Sequence, residues 1–224
     1  MSIKVIESRE GEIFDIELEE SLLRKNEELA QRNRQLLESK GVTAIDVMGS
    51  IGSGKTTLIK QIVRRLKDKH SIAVIAGDLT TTIDADSIRE EEVQVVQINT
   101  GKECHLDANL VGRSLEEIDL DEIDLLFIEN VGNLICPGEF PLGAHKRVVV
   151  ISVTEGPYMV VKHPYIFMDA VAVAINKIDL AEPMGVDISK LEMDARRIKP
   201  SIKVIRTNGL TGDGIEDLIE AMGV

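Results

Sequence analysis

The chain has 224 residues, of which 43% are hydrophobic, so it can bury a sizeable core as one large domain or one domain with an appendage. Its formal net charge of −13 argues against a nucleic-acid partner, because neutralising phosphates takes clustered lysine and arginine residues. No apolar run approaches the length of about 18 residues that spans a bilayer, and the N-terminus is too acidic for a signal peptide, so we expect a cytoplasmic protein without a membrane partner.

An amphipathic helix is predicted in an N-terminal extension, which we assign to residues 1–40, ahead of a main domain at residues 41–224. Apolar pairs recur there every seven residues, a spacing typical of a helix with one apolar face. We expect Gly41 to end the helix, and the apolar face to pack on the main domain or on a partner subunit. The pairs are Leu22/Leu23, Leu29/Ala30 and Leu36/Leu37.

Seven short runs rich in valine and isoleucine follow, separated by polar or helical segments. Runs that are apolar on both faces are typical of strands in a parallel sheet covered on both sides. We therefore expect an α/β fold with a mostly parallel central sheet of about seven strands, helices on both faces, and ligands at the carboxyl ends of the strands. The runs span residues 42–49, 71–78, 93–99, 124–130, 147–153, 169–176 and 202–206.

The first run leads into GSIGSGKT, which has the form G-x-x-x-x-G-K-[ST] between a predicted strand and a helical segment. Glycines in such a loop let backbone N–H groups turn inward on a β-phosphate. We expect Lys55 to reach the β- and γ-phosphates and assist catalysis, and Thr56 to offer its hydroxyl to Mg²⁺. A glycine-rich turn with an accidental lysine is the competing interpretation. The predicted nucleotide-binding residues here are Gly49, Ser50, Gly52, Ser53, Gly54, Lys55, Thr56 and Thr57.

Carboxylates at or near strand ends are candidates for the magnesium and catalytic roles. The strand predicted in the fourth run ends in Glu129, which is predicted to bind Mg²⁺ directly or indirectly, with Gly132 as the pivot at which the next loop senses a γ-phosphate. Asp78 ends the second run and is the candidate for orienting the attacking water. Asp84 lies with Asp86 on a predicted polar loop and is the candidate magnesium-linked switch residue. For each carboxylate, an ordinary solvated acidic group remains the alternative.

The sixth run ends in an N-K-x-D motif at Asn176, Lys177 and Asp179. A carboxylate can accept hydrogen bonds from guanine N1–H and the 2-amino group, which adenine does not offer; Asn176 can meet the N7/O6 edge, and the Lys177 stem can cover the ring. The motif is weak alone, but after a phosphate-binding loop it favours GTP over ATP. Thr207 and Asn208, before the last predicted helix, are weaker candidates for base contacts.

The chain has two cysteines, Cys104 and Cys136, which are poor candidates for a disulfide in a reducing compartment. Taken alone, the Cys104-His105 pair is more often structural than metal-binding, because free cysteine is among the most buried residue types. Thiolate and imidazole nevertheless suit Zn²⁺ and Ni²⁺, and three ligands leave a tetrahedron incomplete, which favours an exchangeable site or one completed by a second subunit. Asp107 is a possible extra donor, although a role at the helix start fits it better.

Four segments together resemble the HypB family, the nickel-incorporation GTPases of [NiFe]-hydrogenase maturation: GSIGSGKTTL, NTGKECHLDANLV, LLFIENVGNLICP and INKIDLAE. The resemblance implies a SIMIBI-like dimerising P-loop GTPase domain at residues 41–224. It implies a metallochaperone that uses GTP and Mg²⁺, and that helps deliver Ni²⁺ to the hydrogenase large subunit with a HypA-like nickel chaperone. It also implies a GTP-dependent homodimer with Zn²⁺ or Ni²⁺ bound near the interface by Cys104, His105 and Cys136.

The sequence departs from parts of this family's pattern. No cysteine precedes Cys104, and His70 is the only histidine in that span, so we expect a short form without the N-terminal cysteine nickel motif or the histidine-rich tract of some members. Ser50 stands where dimerising relatives that use ATP carry a second loop lysine. A UreG-like urease-maturation GTPase, a small-molecule kinase, and a nucleotide-gated binding module with incidental hydrolysis remain as alternatives; Gly138 after Cys136-Pro137 disfavours the first.

Overall fold

A seven-stranded sheet with every neighbouring pair parallel forms the centre of the computed structural model, which describes residues 16–101 and 103–224. The strand order is β3-β2-β4-β1-β5-β6-β7. The predicted α/β fold with its parallel sheet is confirmed. The strands are β1 Thr43–Gly49, β2 Ile72–Asp78, β3 Gln94–Asn99, β4 Leu125–Glu129, β5 Lys146–Ser152, β6 Ala172–Asn176 and β7 Lys203–Arg206.

Helices cover both faces of the sheet. On one face, α2, α3 and α9 enclose a core; on the other, α1 and α4 cover the half formed mainly by β1 to β4, and α5, α6 and α8 cover the half with β5 and β6. None of the described helices has the length and apolar composition needed to cross a membrane. The helices are α1 Ile16–Lys40, α2 Lys55–Leu66, α3 Ile83–Arg89, α4 Ala108–Leu115, α5 Met159–Lys162, α6 Tyr165–Met168, α7 Ala181–Met184, α8 Ile188–Ile198 and α9 Ile215–Met222.

Strand β1 lies at the point where the strand order reverses, with β4 on one side and β5 on the other. Val47 of β1 is in register with Glu129 of β4, so the loop after β1 and the end of β4 meet at the same edge. Ligands of open α/β sheets bind in the crevice at such a reversal, outside the carboxyl ends of the strands. The fold therefore places the predicted phosphate loop and Glu129 side by side.

Helix α1 ends at a left-handed glycine. Gly41 has φ of 72°, its N–H donates to the Glu38 carbonyl, and the N–H of Val42 donates to the Leu37 carbonyl. This pair of bonds is a Schellman cap, which glycine adopts without steric cost. Residues 1–15 of the predicted extension lie outside the described part of the chain, and the division of the chain at residue 40 stays a prediction.

Two asparagines fix α1 on the main domain. The Asn33 side chain donates to the carbonyls of Ala108 at 2.7 Å and Leu142 at 3.1 Å, and the side-chain Oδ1 of Asn26 accepts from the N–H of Ala108 at 2.8 Å. Only some of the predicted apolar positions face inward: Ala30 and Leu37 are buried, whereas Leu22 and Leu36 are exposed. The contact with α4 is thus specified by polar side chains, which the apolar pattern did not reveal.

Replacing Asn33 by alanine is expected to lower the free energy of unfolding by about 1 to 3 kcal/mol, because two carbonyls at a buried interface lose their donor. Urea unfolding measures this difference. Gln31→Ala, at an exposed position on the same helix, is the control and should unfold like the wild type. Equal unfolding energies for Asn33→Ala and Gln31→Ala would show that these bonds contribute nothing.

Candidate functional site

The loop between β1 and α2 forms a tight cradle at the carboxyl edge of the sheet. Gly52 and Gly54 have φ of 73° and 98°, and a side chain at Gly49 would place its Cβ 2.4 Å from the Val150 carbonyl oxygen. Helix α2 begins at Lys55, so the free N–H groups of its first turn face the cradle. The glycines are therefore required by backbone conformation and close packing, as an anion-binding loop demands.

The Lys55 ammonium lies across the mouth of this loop. It donates to the carbonyls of Gly49 at 3.2 Å and Ser50 at 3.1 Å. Burial lowers the pKa of Lys55 from its ordinary value, while the nearby Glu129 carboxylate opposes the shift. A buried cation beside a glycine-rich loop is suited to neutralising phosphate oxygens.

A cleft of about 520 Å³ opens above the loop, within the size range of small-molecule sites. It brings together residues from five of the predicted segments: the phosphate loop, the ends of β2 and β4, α3, and the N-K-x-D motif. The predicted nucleotide-binding residues that do not line it are Gly49, Ser50, Ser53, Asn176, Asp179, Thr207 and Asn208. The predicted site residues that line the cleft are Gly52, Gly54, Lys55, Thr56, Thr57, Asp78, Asp84, Glu129 and Lys177.

Thr56 and Glu129 form an oxygen-rich pair in the cleft. The Thr56 hydroxyl donates to Glu129 Oε1 at 2.7 Å, and Glu129 is only 2% exposed. Its second oxygen, Oε2, has no hydrogen-bond partner among the described residues. Burial raises the pKa of Glu129 to about 7, against the opposing effects of Lys55 and Thr56. Because an unpaired buried carboxylate oxygen beside a hydroxyl is a donor set that Mg²⁺ accepts, these two residues fit the ion.

Asp78 and Asp84 also face the cleft, in different settings. Asp78 accepts hydrogen bonds from the Thr81 hydroxyl at 2.8 Å and the Thr80 N–H at 3.1 Å; burial acts to raise its pKa, but these bonds outweigh burial and lower the pKa. Asp84 lies in the first turn of α3. The prediction of a polar loop at Asp84 and Asp86 was wrong, because the buried Ala85 and Ile88 hold residues 83–89 as a helix against the core.

Asn176 braces the site by tying two loops together. Its side-chain amide donates to the Ser53 carbonyl at 2.9 Å, and its oxygen accepts from the Gly209 N–H at 3.0 Å. It is 2% exposed, and a Cβ on Gly54 would lie 2.3 Å from its Nδ2. The loop after β7 is thereby fastened to the phosphate loop. A contact between Asn176 and a base stays a prediction.

The other predicted base-contacting residues occupy the same end of the sheet. Lys177 has a left-handed φ of 61° and donates to the Gly52 carbonyl, so its stem lies along the phosphate loop. Asp179 accepts from the Asn208 amide at 2.9 Å, which orients its carboxylate. Thr207 is wholly buried, and its hydroxyl contacts the Ile175 carbonyl and the Asn176 side chain. The structure therefore gives Thr207 a packing role, whereas Asp179 remains the candidate for reading the base.

Glu155 is a further carboxylate beside the phosphate loop that the sequence analysis did not identify. Its Oε1 accepts from the Ser152 N–H at 2.9 Å. Burial raises its pKa, while Ser50, Lys55 and Lys177 act in the opposite direction. Its position just after the fifth apolar run could have identified Glu155 as a site residue, because this run forms a strand next to β1 and ends at the same edge of the sheet.

Cys104, His105 and Cys136 come together next to the cleft. The two sulfurs lie 3.0 Å apart, Cys104 Sγ is 3.9 Å from His105 Nδ1, and one ligand atom from each residue lies within 4.8 Å of the others. The His105 ring packs on Phe140, with 3.9 Å between ring centroids. Two thiols and an imidazole at these distances can hold a borderline-soft ion such as Zn²⁺ or Ni²⁺ through three donors, which leaves a coordination position open.

Local structure accounts for this convergence. Asp107 caps α4 by accepting from the Leu110 N–H at 2.7 Å, so its carboxylate serves the helix, as the alternative interpretation held. Cys136 begins a short 3-10 turn that contains Pro137. The hydrogen bond with Cys136 raises the pKa of the Cys104 thiol. A metal must displace thiol protons, so its affinity for this cluster will rise with pH.

Comparison with known proteins places these features in context. The model of the family described as CobW/HypB/UreG, nucleotide-binding domain, matches residues 43–206. The chain is 53% identical over 205 residues to the "Probable hydrogenase maturation factor HypB" of Methanocaldococcus jannaschii, over 92% of this chain and 93% of that protein. The solved hydrogenase maturation factor HypB from Archaeoglobus fulgidus is 44% identical, with a TM-score of 0.82 over 88% of this chain and 96% of its own. HypB from Helicobacter pylori, solved in complex with nickel, is 35% identical with the same TM-score, over 88% and 92%.

In protein free of nucleotide and magnesium, the wild type is expected to lose stability relative to Glu129→Gln as pH rises. The folded-state pKa of about 7 exceeds the ordinary value of 4.5, so the folded protein retains a proton that the unfolded chain releases between these pH values. The difference in free energy of unfolding between Glu129→Gln and the wild type therefore changes between about pH 4.5 and pH 7. The change amounts to about 3 kcal/mol in favour of Glu129→Gln, and the difference is constant above that range. Urea unfolding of both proteins across this range measures it. Parallel pH profiles would show that Glu129 ionises as freely in the folded protein as in the unfolded chain.

Proposed function

Since the chain belongs to the HypB hydrogenase maturation factors of the CobW/HypB/UreG family, we propose that it is a GTP-hydrolysing metallochaperone that assists nickel insertion into the large subunit of [NiFe]-hydrogenase. One observation carries the proposal. The segment that starts at Glu129, in the phosphate cleft, reaches the Cys/His cluster at Cys136. A movement of this segment at the nucleotide end can therefore reach Cys136 through seven residues of continuous chain.

In the proposed reaction, the residues of the cleft act on the γ-phosphate of GTP. Lys55 neutralises charge on the β- and γ-phosphates, and Asp78 orients the attacking water. Thr56 and Glu129 would hold Mg²⁺, with Asp84 as a magnesium-linked switch residue. The ion would supply neutralisation of phosphate charge. Turnover is expected to be slow, because the chain has Ser50 where some dimerising relatives have a second loop lysine.

Guanine recognition rests on Asp179. Its carboxylate is held by Asn208, so the geometry in which it accepts from guanine N1–H and the 2-amino group is set before the nucleotide binds. Lys177 runs along the phosphate loop and covers one face of the base position. These contacts support GTP as the nucleotide rather than ATP.

A homodimer completes the proposal. Large apolar side chains are exposed beside the cleft and the cluster: Ile51 is 80% exposed, Ile83 70% and Ile135 64%. Covering them by a second copy would bury apolar area around the bound nucleotide. The open coordination position of the three-ligand cluster is suited to a ligand from the second copy, or to transfer to a HypA-like nickel chaperone and the hydrogenase large subunit. Nickel as cargo is supported by the nickel complex of the Helicobacter pylori relative.

Coupling follows from these parts. GTP closes the dimer and the segment after Glu129, which changes the geometry at Cys136 and Cys104, and hydrolysis reverses the change. Because a ligand shifts an equilibrium only by its differential affinity for the two states, the metal must in turn alter hydrolysis or dimerisation.

Asp179→Asn is expected to change which base is preferred. The asparagine keeps an acceptor for purine N1–H but offers a donor where the 2-amino group of guanine would stand, so GTP affinity should fall by about 10- to 100-fold and xanthosine triphosphate should become the better ligand. Fluorescent-nucleotide competition measures both affinities. Asp213→Asn, exposed in the loop before α9 and bonded to Thr211, is the control and should keep the wild-type preference. A GTP affinity unchanged by Asp179→Asn would remove Asp179 from the base site.

Cys136→Ala is expected to weaken Ni²⁺ and Zn²⁺ binding by at least about tenfold, the loss seen even for groups that support a metal ligand indirectly. The measurement is anaerobic titration with and without a non-hydrolysable GTP analogue, with mass followed by light scattering. His70→Ala alters a histidine that precedes β2, at the opposite edge of the sheet, and should bind metal like the wild type. An unaltered metal affinity in Cys136→Ala would exclude this thiol from the site. A metal that changed neither hydrolysis nor dimer mass would overturn the proposed coupling.

A further inference from the structure

The segment from Glu129 to Cys136 is bonded to the phosphate loop through its backbone. The Asn130 N–H donates to the Val47 carbonyl at 3.0 Å, and the Asn133 N–H donates to the Gly49 carbonyl at 3.1 Å. Between them, Gly132 packs on the loop so closely that a Cβ there would lie 2.9 Å from the backbone N of Ile51. A displacement of the phosphate loop or of Gly132 must therefore move Asn133.

The Asn133 side chain bonds both segments that carry the cysteine ligands. Its Nδ2 donates to the carbonyl of Cys104 at 3.2 Å. Its Oδ1 accepts from the N–H of Ile135, the residue before Cys136, at 2.9 Å. The Asn133 amide thus holds the backbone of Cys104 in a fixed position relative to the backbone of Ile135, which precedes Cys136.

Asn130, three residues earlier, is held in place from several sides. It is wholly buried, and its Oδ1 accepts from the N–H groups of Leu106 and Val131. Its Nδ2 donates to Asp46 at 3.3 Å, and Asp46 is paired with Arg147 at 3.2 Å inside the sheet. Asn133 is only half-buried. The segment is therefore enclosed more completely at Asn130 than at Asn133.

From this geometry we propose that Asn133 is the positioning residue that couples the nucleotide state to the Cys/His cluster. The proposal rests on the function proposed above and assigns its coupling to one side chain. When the phosphate loop and Gly132 shift with the nucleotide, the Asn133 backbone follows through its bond to Gly49, and its side chain moves the Cys104 carbonyl relative to Ile135. The distance between the Cys104 and Cys136 sulfurs then depends on which nucleotide is bound.

Two variants separate the two bonds of this amide. Asn133→Ala removes both. Asn133→Asp keeps an oxygen that accepts from Ile135 but has no proton to donate to the Cys104 carbonyl at neutral pH. Asn109→Ala, at an exposed position on α4, is the matched control. Both Asn133 variants change a half-buried side chain, and Asn133→Asp preserves the turn at Ile135, so folding is retained in at least that variant.

The experiment measures Zn²⁺ and Ni²⁺ dissociation constants anaerobically by competition with a chromophoric chelator, once with GDP and once with a non-hydrolysable GTP analogue. Wild type and Asn109→Ala should show a ratio of about fivefold or more between the two nucleotide states, the lower end of ordinary coupling between sites. In Asn133→Ala and Asn133→Asp the dissociation constants with GDP and with the GTP analogue should differ by less than about twofold. Metal should still bind in the presence of GDP. Because coupling is reciprocal, metal should change the affinity for the GTP analogue in the wild type and not in these variants.

The outcomes are distinguishable. A wild-type ratio that persists in Asn133→Asp overturns the proposal for Asn133 and leaves the proposed metallochaperone function standing. Loss of metal binding in both nucleotide states shows that Asn133 only holds the ligand loops, which also overturns it. Equal metal affinity with both nucleotides in the wild type overturns the coupling itself, and with it the role of Asn133.

Discussion

The close approach of two backbones at the carboxyl edge of the sheet is the constraint on which the site depends. At Gly49 a Cβ would lie 2.4 Å from the Val150 carbonyl, and at Gly132 it would lie 2.5 Å from the Ile51 side chain. Neither position tolerates a side chain: Gly49 lies against β5, and Gly132 lies against the backbone of Ile51, which is where the segment after β4 runs along the phosphate loop. Its backbone pairs with the loop at Gly49, and it then continues to Cys136. The nucleotide cleft and the metal cluster are adjacent because of this contact.

The cleft buries two ionisable side chains, Glu129 and Lys55, and their burial strengthens the electrostatic interactions that they can make there. Glu129 is buried, and none of the residues that the structure describes bonds its second oxygen; burial raises the pKa of this carboxyl to about 7 despite the attraction of Lys55. The pKa of Lys55 is lowered for the same reason. Buried groups with strongly shifted pKa values cluster at functional sites, because the same burial strengthens their interaction with a charged ligand. The proposed triphosphate with Mg²⁺ would place negative charge beside Lys55 and positive charge beside Glu129.

The sequence predicted the strands and the phosphate loop, since both depend on local patterns: apolar runs for a covered sheet, and glycine spacing for an anion cradle. It failed at Asp84, because two buried side chains turned a polar stretch into a helix. It also missed the bracing roles of Asn33, Asn176 and Asn133, each of which bonds a partner between 29 and 123 residues away. Such bonds depend on the packed fold, and no local pattern distinguishes these asparagines from exposed ones. The grouping of Cys104 with Cys136 was expected from family resemblance rather than from spacing.

The N-terminal helix has a bearing on the metal cluster that its position in the sequence does not suggest. Asn26 of α1 accepts from the N–H of Ala108, and Asn33 donates to the carbonyl of the same residue. Ala108 follows His105 by three positions, so α1 holds the end of the Cys104–Asp107 loop against the main domain. Asn133 contacts the other end of this loop, at the Cys104 carbonyl. With one end fixed on α1, a shift of Asn133 cannot move the loop as a whole. In the proposed coupling, such a shift changes the conformation of Cys104 and His105 themselves, and so changes how the cluster holds a metal.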